Sequence, residues 1–149
     1  MNQYTLVVKS ADEITSQALL TVLKARVKVF VIEQNCPYQE VDDQDDTALH
    51  VMLMDGDRLV AYTRIIPHLD GQHMSFGRVM VVKEYRGRQL GRQIVTQTLA
   101  ILHDRYPGAP IKIQAQNYLR QFYGSFGFQP VSDVYLEDDI PHVDMVLEH

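Results

Sequence analysis

Apolar residues recur along this chain with two periods, and the switches between them mark out its elements. Tyr4 to Val8 is a short, β-rich alternating stretch that predicts a first strand, and Ser10 to Thr15 is a cap-rich boundary behind it. From Ile14 to about Glu33, the residues Ala18, Leu19, Val22, Leu23, Val27 and Phe30 return at three- and four-residue steps, which predicts a helix with one buried stripe. Arg26 and Glu33 fall on one face of it, two turns apart, and are expected to be a solvated pair beside that stripe. Asn35 to Thr47 has neither period and is expected to be an exposed loop. Leu49 to Met54 and Arg58 to Ile66 then read as a hairpin around Asp55, Gly56 and Asp57, and Met74 to Val82 supplies a third successive strand.

A second helical period runs from about Gln89 to Arg105, with Leu90, Ile94, Thr98 and Ile101 on one face and Val95, Leu99 and Leu102 widening it. Pro107, Gly108 and Pro110 end it. Ile111 to Ala115 predicts a short buried strand, and Tyr118 to Phe126 an aromatic-rich helix stopped at Gly127. Phe128 to Tyr135 and His142 to Leu147 read as two last strands joined by an acidic loop, Glu137 to Asp139. The predicted order, βαβββαβαββ, is one mixed α/β domain over residues 1–146; Leu147, Glu148 and His149 have the look of a purification-tag scar and are set aside.

Composition narrows the class. The chain has 149 residues and is 46% hydrophobic, which suits a single domain with a proper core. A formal net charge of −5 argues against general attraction to nucleic acid or an anionic membrane surface. Cys36 is the only cysteine, so no internal disulfide can form, and a reducing, cytoplasmic setting is expected. No apolar run approaches the roughly 18 to 20 residues that span a bilayer. Glu40, Asp42, Asp43, Asp45 and Asp46 crowd the loop after Asn35; they are expected to be solvated, or else to gather a cationic partner, and their spacing lacks the glycine and closing glutamate of a calcium loop. His68 and His73 are expected at the surface, without a metal.

The chemistry concentrates in FGRVMVVKEYRGRQLGR, Phe76 to Arg92. An apolar strand stops at a turn holding Arg86, Gly87, Arg88 and Gly91, and a helix starts at once. Unpartnered N–H groups and the positive dipole end of a helix start seat an anion. Glycines admit close approach, and Arg86, Arg88 and Arg92 can meet the charge, so a phosphate-bearing ligand is expected here.

With its arginine at the first position and its glycine at the last, Arg86-Gly87-Arg88-Gln89-Leu90-Gly91 resembles the phosphate turn of the GNAT superfamily of acyl-CoA-dependent N-acyltransferases, although Gln89 stands where a middle glycine is usual. Gln121 to Phe128, QFYGSFGF, is similar to that family's aromatic helix with its following Gly and Phe. The likeness extends over essentially the whole chain, and the front half, Arg26 with VFVIEQNCPYQEVDDQDD, looks most like the ElaA-like subgroup; a fainter likeness is to the acyl-homoserine-lactone synthases. The resemblance implies a mostly antiparallel mixed sheet flanked by helices, with the strand Gly77 to Val82 splayed from its neighbour after Ala115. It implies acetyl-CoA as the acyl donor and no metal. Val79, Met80 and Val81 would then run beside the pantetheine arm, Arg86 to Arg92 (with Gly87, Arg88, Gln89, Leu90 and Gly91) would hold the pyrophosphate, and Asn117 and Tyr123 would complete the cofactor site.

The implied reaction is attack of a primary amine, small-molecule or peptide, on the thioester. An alkylamine with a pKa near 10.4 is neutral at pH 7 only about one part in 2,500, so a base, a water chain or desolvation must remove its proton. Glu40, His142, or a water held by either, are the candidate bases, and Cys36 as an acyl carrier ranks below direct transfer. Tyr123, at a position implied to face the sulfur, is expected to act mainly as a hydrogen-bond donor, since a phenol of pKa about 10 is a weaker acid than a thiol of about 8.5. Two other readings stay open: a non-catalytic coenzyme A-binding sensor and an enzyme like the lactone synthases. A homodimer is also compatible with the acyltransferase reading.

Overall fold

In a computed structural model that describes residues 4–148, the alternating stretches become one eight-stranded sheet, with a helix on one face and two on the other. The elements are β1 (Thr5–Ser10), α1 (Ser16–Val27), β2 (Leu49–Asp55), β3 (Arg58–Pro67), β4 (Met74–Val81), α2 (Leu90–Arg105), β5 (Ile111–Gln116), α3 (Arg120–Gly124), β6 (Gln129–Pro130), β7 (Tyr135–Glu137) and β8 (Ile140–Leu147). The strand order is β1-β2-β3-β4-β5-β8-β6, with β7 also on β8. Every pairing is antiparallel except that of β4 with β5. The expected fold class, a mostly antiparallel mixed sheet flanked by helices, is the one observed. Among the described residues no helix is long and apolar enough to cross a membrane.

Period-two alternation divides the core between the two faces of the sheet. Val51, Leu53, Ala61, Ile65 and Phe76 pack against Leu90, Ile94, Val95 and Leu102 of α2, whereas Met52, Tyr62 and Met80 face the other way, onto Val22 of α1 and Phe30. Ile94 and Val95 are fully buried; each such side chain contributes about 1.5–3 kcal/mol relative to exposure.

Three predicted elements differ. The helix expected from Ile14 to Glu33 begins at its Thr15 cap, which accepts from the Ala18 N–H, and gives way after Val27 to a wider π-helical turn, Lys28–Glu33. The apolar stripe continues through that turn, with Val29 and Phe30 buried, so the periodicity conceals the change. The aromatic helix is a 3-10 turn, Asn117–Leu119, followed by the short α3. Phe128 to Tyr135 is not one strand. The chain leaves β8 only after Val131, whose N–H still donates to the Asp144 carbonyl at 2.8 Å, and there Ser132 Oγ takes the place of a backbone acceptor for the Asp144 N–H. Leu147, set aside above, closes β8 opposite Ile111; His149 lies outside the described residues.

The sheet opens at its one parallel junction. β4 and β5 pair only at Met74 and Ile111 and then part, so the rest of β4 has no ladder partner on that side. On its other side β4 carries a bulge: Arg64 opposes Gly77 and Tyr62 opposes Met80, leaving Arg78 and Val79 opposite Thr63 alone. Arg78 takes a left-handed backbone (φ 53°), and Thr63 Oγ1 donates to the Gly77 carbonyl at 2.9 Å.

Candidate active site

Between the parted strands lies a cleft of about 410 Å³, lined among others by Val79 of β4, Gln114 and Gln116 of β5, Tyr123 of α3 and His142 of β8. It therefore brings together the strand, the aromatic helix and one candidate base from separate parts of the chain. Met80 is not at the cleft: its side chain is buried in the core beneath α1, and Val81 also lies off the lining.

Tyr123 is 5% exposed and held by edge-on and tilted ring contacts with Phe76, Phe122 and Phe128. Burial pushes its phenol well above the usual tyrosine range, with Tyr118 adding to the effect. It therefore stays neutral, and its O–H is a hydrogen-bond donor that gives up its proton reluctantly. Among the described residues that hydroxyl has no hydrogen-bond partner.

His142 is 9% exposed and stacks on Tyr135 at 6.1 Å between ring centroids. Its Nδ1 lies 2.7 Å from the Ile140 carbonyl oxygen. A carbonyl only accepts, so Nδ1 carries the proton, and the lone pair sits on Nε2, the nitrogen a base would use. Glu40 is the opposite case. It is 3% exposed, ion-paired to Arg26 at 3.0 Å and Arg78 at 2.7 Å, and absent from the cleft lining. Both guanidinium groups hold its carboxylate away from the cleft, so Glu40 is not placed to reach an amine bound there, as the expected base would have to be.

The acidic loop is only in part the solvated run the sequence suggests: Asp43 and Asp46 are exposed, whereas Glu40 and Asp45 are buried and Asp42 is half-buried. Asp43–Asp46 forms a 3-10 turn closed by a capping box between Asp42 and Asp45. Arg26, far from solvated, is fully buried: its NH1 reaches Asp45 at 2.7 Å, its NH2 the Glu40 carbonyl at 3.0 Å, and Tyr62 lies beneath it. Arg64 grips Asp42 at 2.7 and 3.1 Å and Asp45 at 3.1 Å, while Arg78 is turned onto Glu40 by the bulge. Burial works to raise the pKa of Asp45, but hydrogen bonds from Arg26 and the Asp42 N–H prevail and hold it at about 2. Glu40, Asp42 and Asp45 are thus matched by Arg26, Arg64 and Arg78 in one neutral network. Its signal in the sequence is two arginines, Arg64 and Arg78, inside strand patterns where apolar residues would be expected.

Glu33, expected beside Arg26, reaches instead to Arg86 at 2.7 Å. That arginine is accordingly held by the protein itself, its Nε donating to the Val81 carbonyl as well. Arg88 and Arg92 have no carboxylate partner among the described residues. Arg88 lies over the Tyr85 ring, and Arg92 donates to Ser125 Oγ at 2.8 Å while its guanidinium lies 4.8 Å from the centre of the Phe126 ring. Arg92 thereby ties the arginine turn to the aromatic segment, the two motifs the sequence singled out.

At the head of α2 no side chain caps the first turn. Gln89 sits at the N-cap with φ 63°, a left-handed conformation that favours glycine, and Gly87 is also left-handed at φ 83°. Gln89, where a glycine is expected, thus holds a left-handed backbone at a cost of about 1–2 kcal/mol. Gln89→Gly is expected to leave stability unchanged or raise it by up to about 1 kcal/mol, since relief of strain offsets the entropy of glycine, whereas β-branched Gln89→Val should lower it by about 1–2 kcal/mol. Urea denaturation of both variants checks this; a glycine variant less stable than the valine one would contradict it.

The uncapped helix start, the unpaired edge of β4 and the Asn117 Oδ1, which is buried without a partner just beyond β5, are what a phosphorylated, amide-rich cofactor would need. Cys36 at the cleft is buried, with its Sγ 3.5 Å from the Asp138 carbonyl; burial and the charges of Asp138 and Asp139 push its thiol up, away from the reactive thiolate.

Comparison with known proteins agrees with this geometry. Residues 10–149 match the family model described as an acetyltransferase (GNAT) domain. Protein ElaA of Escherichia coli strain K12 is 42% identical over 140 residues, 92% of either chain. The E. coli ElaA crystal structure superposes with a TM-score of 0.89 at 38% identity, over 96% of this chain and 98% of that one. An acyl-CoA N-acyltransferase from Pseudomonas aeruginosa gives a TM-score of 0.91 at 36% identity, over the same shares of the two chains, 96% and 98%. A CoA-dependent acyl-homoserine lactone synthase, BjaI, is similar in fold alone, with a TM-score of 0.79 at 15% identity over 96% of this chain and 83% of that one.

Proposed function

The chain belongs to the GNAT family of acetyltransferases, in its ElaA-like subgroup, and from that premise we propose that it transfers an acetyl group from acetyl-CoA directly to a primary amine. The observation that carries the proposal is the parting of β4 from β5 after a single residue pair. It leaves a free strand edge beside a cleft that holds Tyr123 and His142, while β4 leads, at its far end, into the uncapped start of α2.

In this reading the Val79 and Val81 backbone meets the pantetheine amides, and the N–H groups at the head of α2, with Arg88 and Arg92, meet the pyrophosphate. Coenzyme A supplies the activated thioester. His142 Nε2 takes the proton of the attacking amine, directly or through a water, as the C–N bond forms and the C–S bond breaks. Tyr123 donates a hydrogen bond to the thiolate as its charge develops. With its phenol raised further above a thiol of pKa about 8.5, proton transfer from Tyr123 would be uphill by more than about 2 kcal/mol, so the thiolate leaves hydrogen-bonded and is protonated from water.

A thiol-release assay with acetyl-CoA across a panel of primary amines tests the function. Amine-dependent release is expected, and Tyr123→Phe should lower kcat by about 10- to 100-fold, the value of one hydrogen bond to a charged group, with little change in the KM for acetyl-CoA. Binding of acetyl-CoA without release for any amine would instead identify a sensor, and a wild-type rate in Tyr123→Phe would return that residue to the core.

A further inference from the structure

An acyl acceptor cannot be recognised through the charge of the nitrogen that reacts, because that nitrogen must be neutral to attack. The acidic loop does not supply recognition at the cleft either: Glu40, Asp42 and Asp45 are neutralised by Arg26, Arg64 and Arg78, and Asp43 and Asp46 lie off the cleft lining. Two other carboxylates line the cleft, Glu137 and Asp138, at the tip of the β7–β8 hairpin. Among the described residues neither side chain has an ion-pair or hydrogen-bond partner; the one contact made by Asp138 is through its carbonyl, to Cys36.

The hairpin also fixes where these charges stand relative to the base. Tyr135 pairs with His142 and Glu137 with Ile140, so all four side chains share one face, and Glu137 is the diagonal neighbour of His142. Diagonal neighbours in an antiparallel pair are about 7–8 Å apart. His142 itself, 9% exposed and with Nε2 unpartnered among the described residues, is directed at the same cleft and points independently to a ligand there.

We propose that Glu137 and Asp138 select an acceptor bearing a second cationic group, held at the hairpin tip while His142 deprotonates the reacting amine. The proposal rests on the acyltransferase reading above and names its substrate class: diamine-like acceptors, one nitrogen neutral and reacting, the other charged and held at the hairpin.

The test compares 1,5-diaminopentane with pentylamine as acceptors for acetyl-CoA. In the wild-type protein kcat/KM for the diamine should exceed that for the monoamine by about five- to tenfold, the range of one or two exposed ion pairs, and the advantage should shrink as salt is raised. In Glu137→Gln/Asp138→Asn the ratio should fall to about one or two, while Asp139→Asn, at the same turn but off the cleft lining, should keep it. Equal use of both amines by the wild type, or an undiminished ratio in the double variant, would overturn the proposal. Should no amine turn over, it is the acyltransferase reading that fails. Calorimetric titration of 1,5-diaminopentane into the coenzyme A-loaded protein then decides the present one: weakening in the double variant supports it, and equal binding overturns it.

Discussion

Replacing Arg26 by methionine is expected to destabilise the protein by about 3–5 kcal/mol, against a total stability of about 5–15 kcal/mol for a domain of this kind. Methionine fills much of the volume, so the loss is electrostatic. The fully buried guanidinium bonds Glu40 and Asp45 together, and without it Asp45 keeps Arg64 while Glu40 keeps only Arg78. Arg26→Lys keeps the charge but cannot span both carboxylates with a planar fork, and should recover about half of the loss. Chemical denaturation at neutral pH measures both variants. The consequence extends to the site, because Gln39, Asp42 and Gln44 of the tethered loop line the cleft. A methionine variant within about 1 kcal/mol of wild type would mean that the network contributes little to the fold.

That network also marks the limit of what the sequence makes legible. β2, β3, β4 and α2 can be read almost residue by residue, since a two-residue alternation and a long 3.6-residue period are local signals. The loop from Asn35 to Thr47 cannot, because the cations that bury its acids come from α1, β3 and β4, and nothing local brings those three elements together. Without them an acidic run reads as solvated. Gln89 is a similar case: a glycine would announce the left-handed turn, whereas here the backbone takes that conformation with a side chain in place. The candidate site divides along the same line. Tyr123 and the arginine turn are visible because their motifs are contiguous, and His142 is visible only as one histidine at the start of the last predicted strand. The tautomer that frees its Nε2 depends on the Ile140 carbonyl, near in sequence but brought to Nδ1 by the hairpin bend after Asp139.

Gly91→Leu is expected to weaken coenzyme A binding by about 2–4 kcal/mol, roughly 30- to 1,000-fold, the loss of one or two charge-assisted hydrogen bonds at the head of α2. The fold itself does not require this glycine. A Cβ added at Gly91 would meet nothing closer than Val81 Cγ2 at 4.0 Å, an ordinary contact, and a leucine is a better helix former. Stability should therefore hold or rise slightly while affinity falls, a separation that a merely structural glycine would not produce.

Calorimetric titration of coenzyme A into the wild-type protein and into a folded Gly91→Leu variant bears most directly on the proposal that the pyrophosphate sits at this turn with the pantetheine arm along β4. Saturable binding by the wild type and a loss of at least about 30-fold in the variant are the predicted result. Equal affinities in two equally stable proteins would contradict it, and would move the cofactor away from the start of α2.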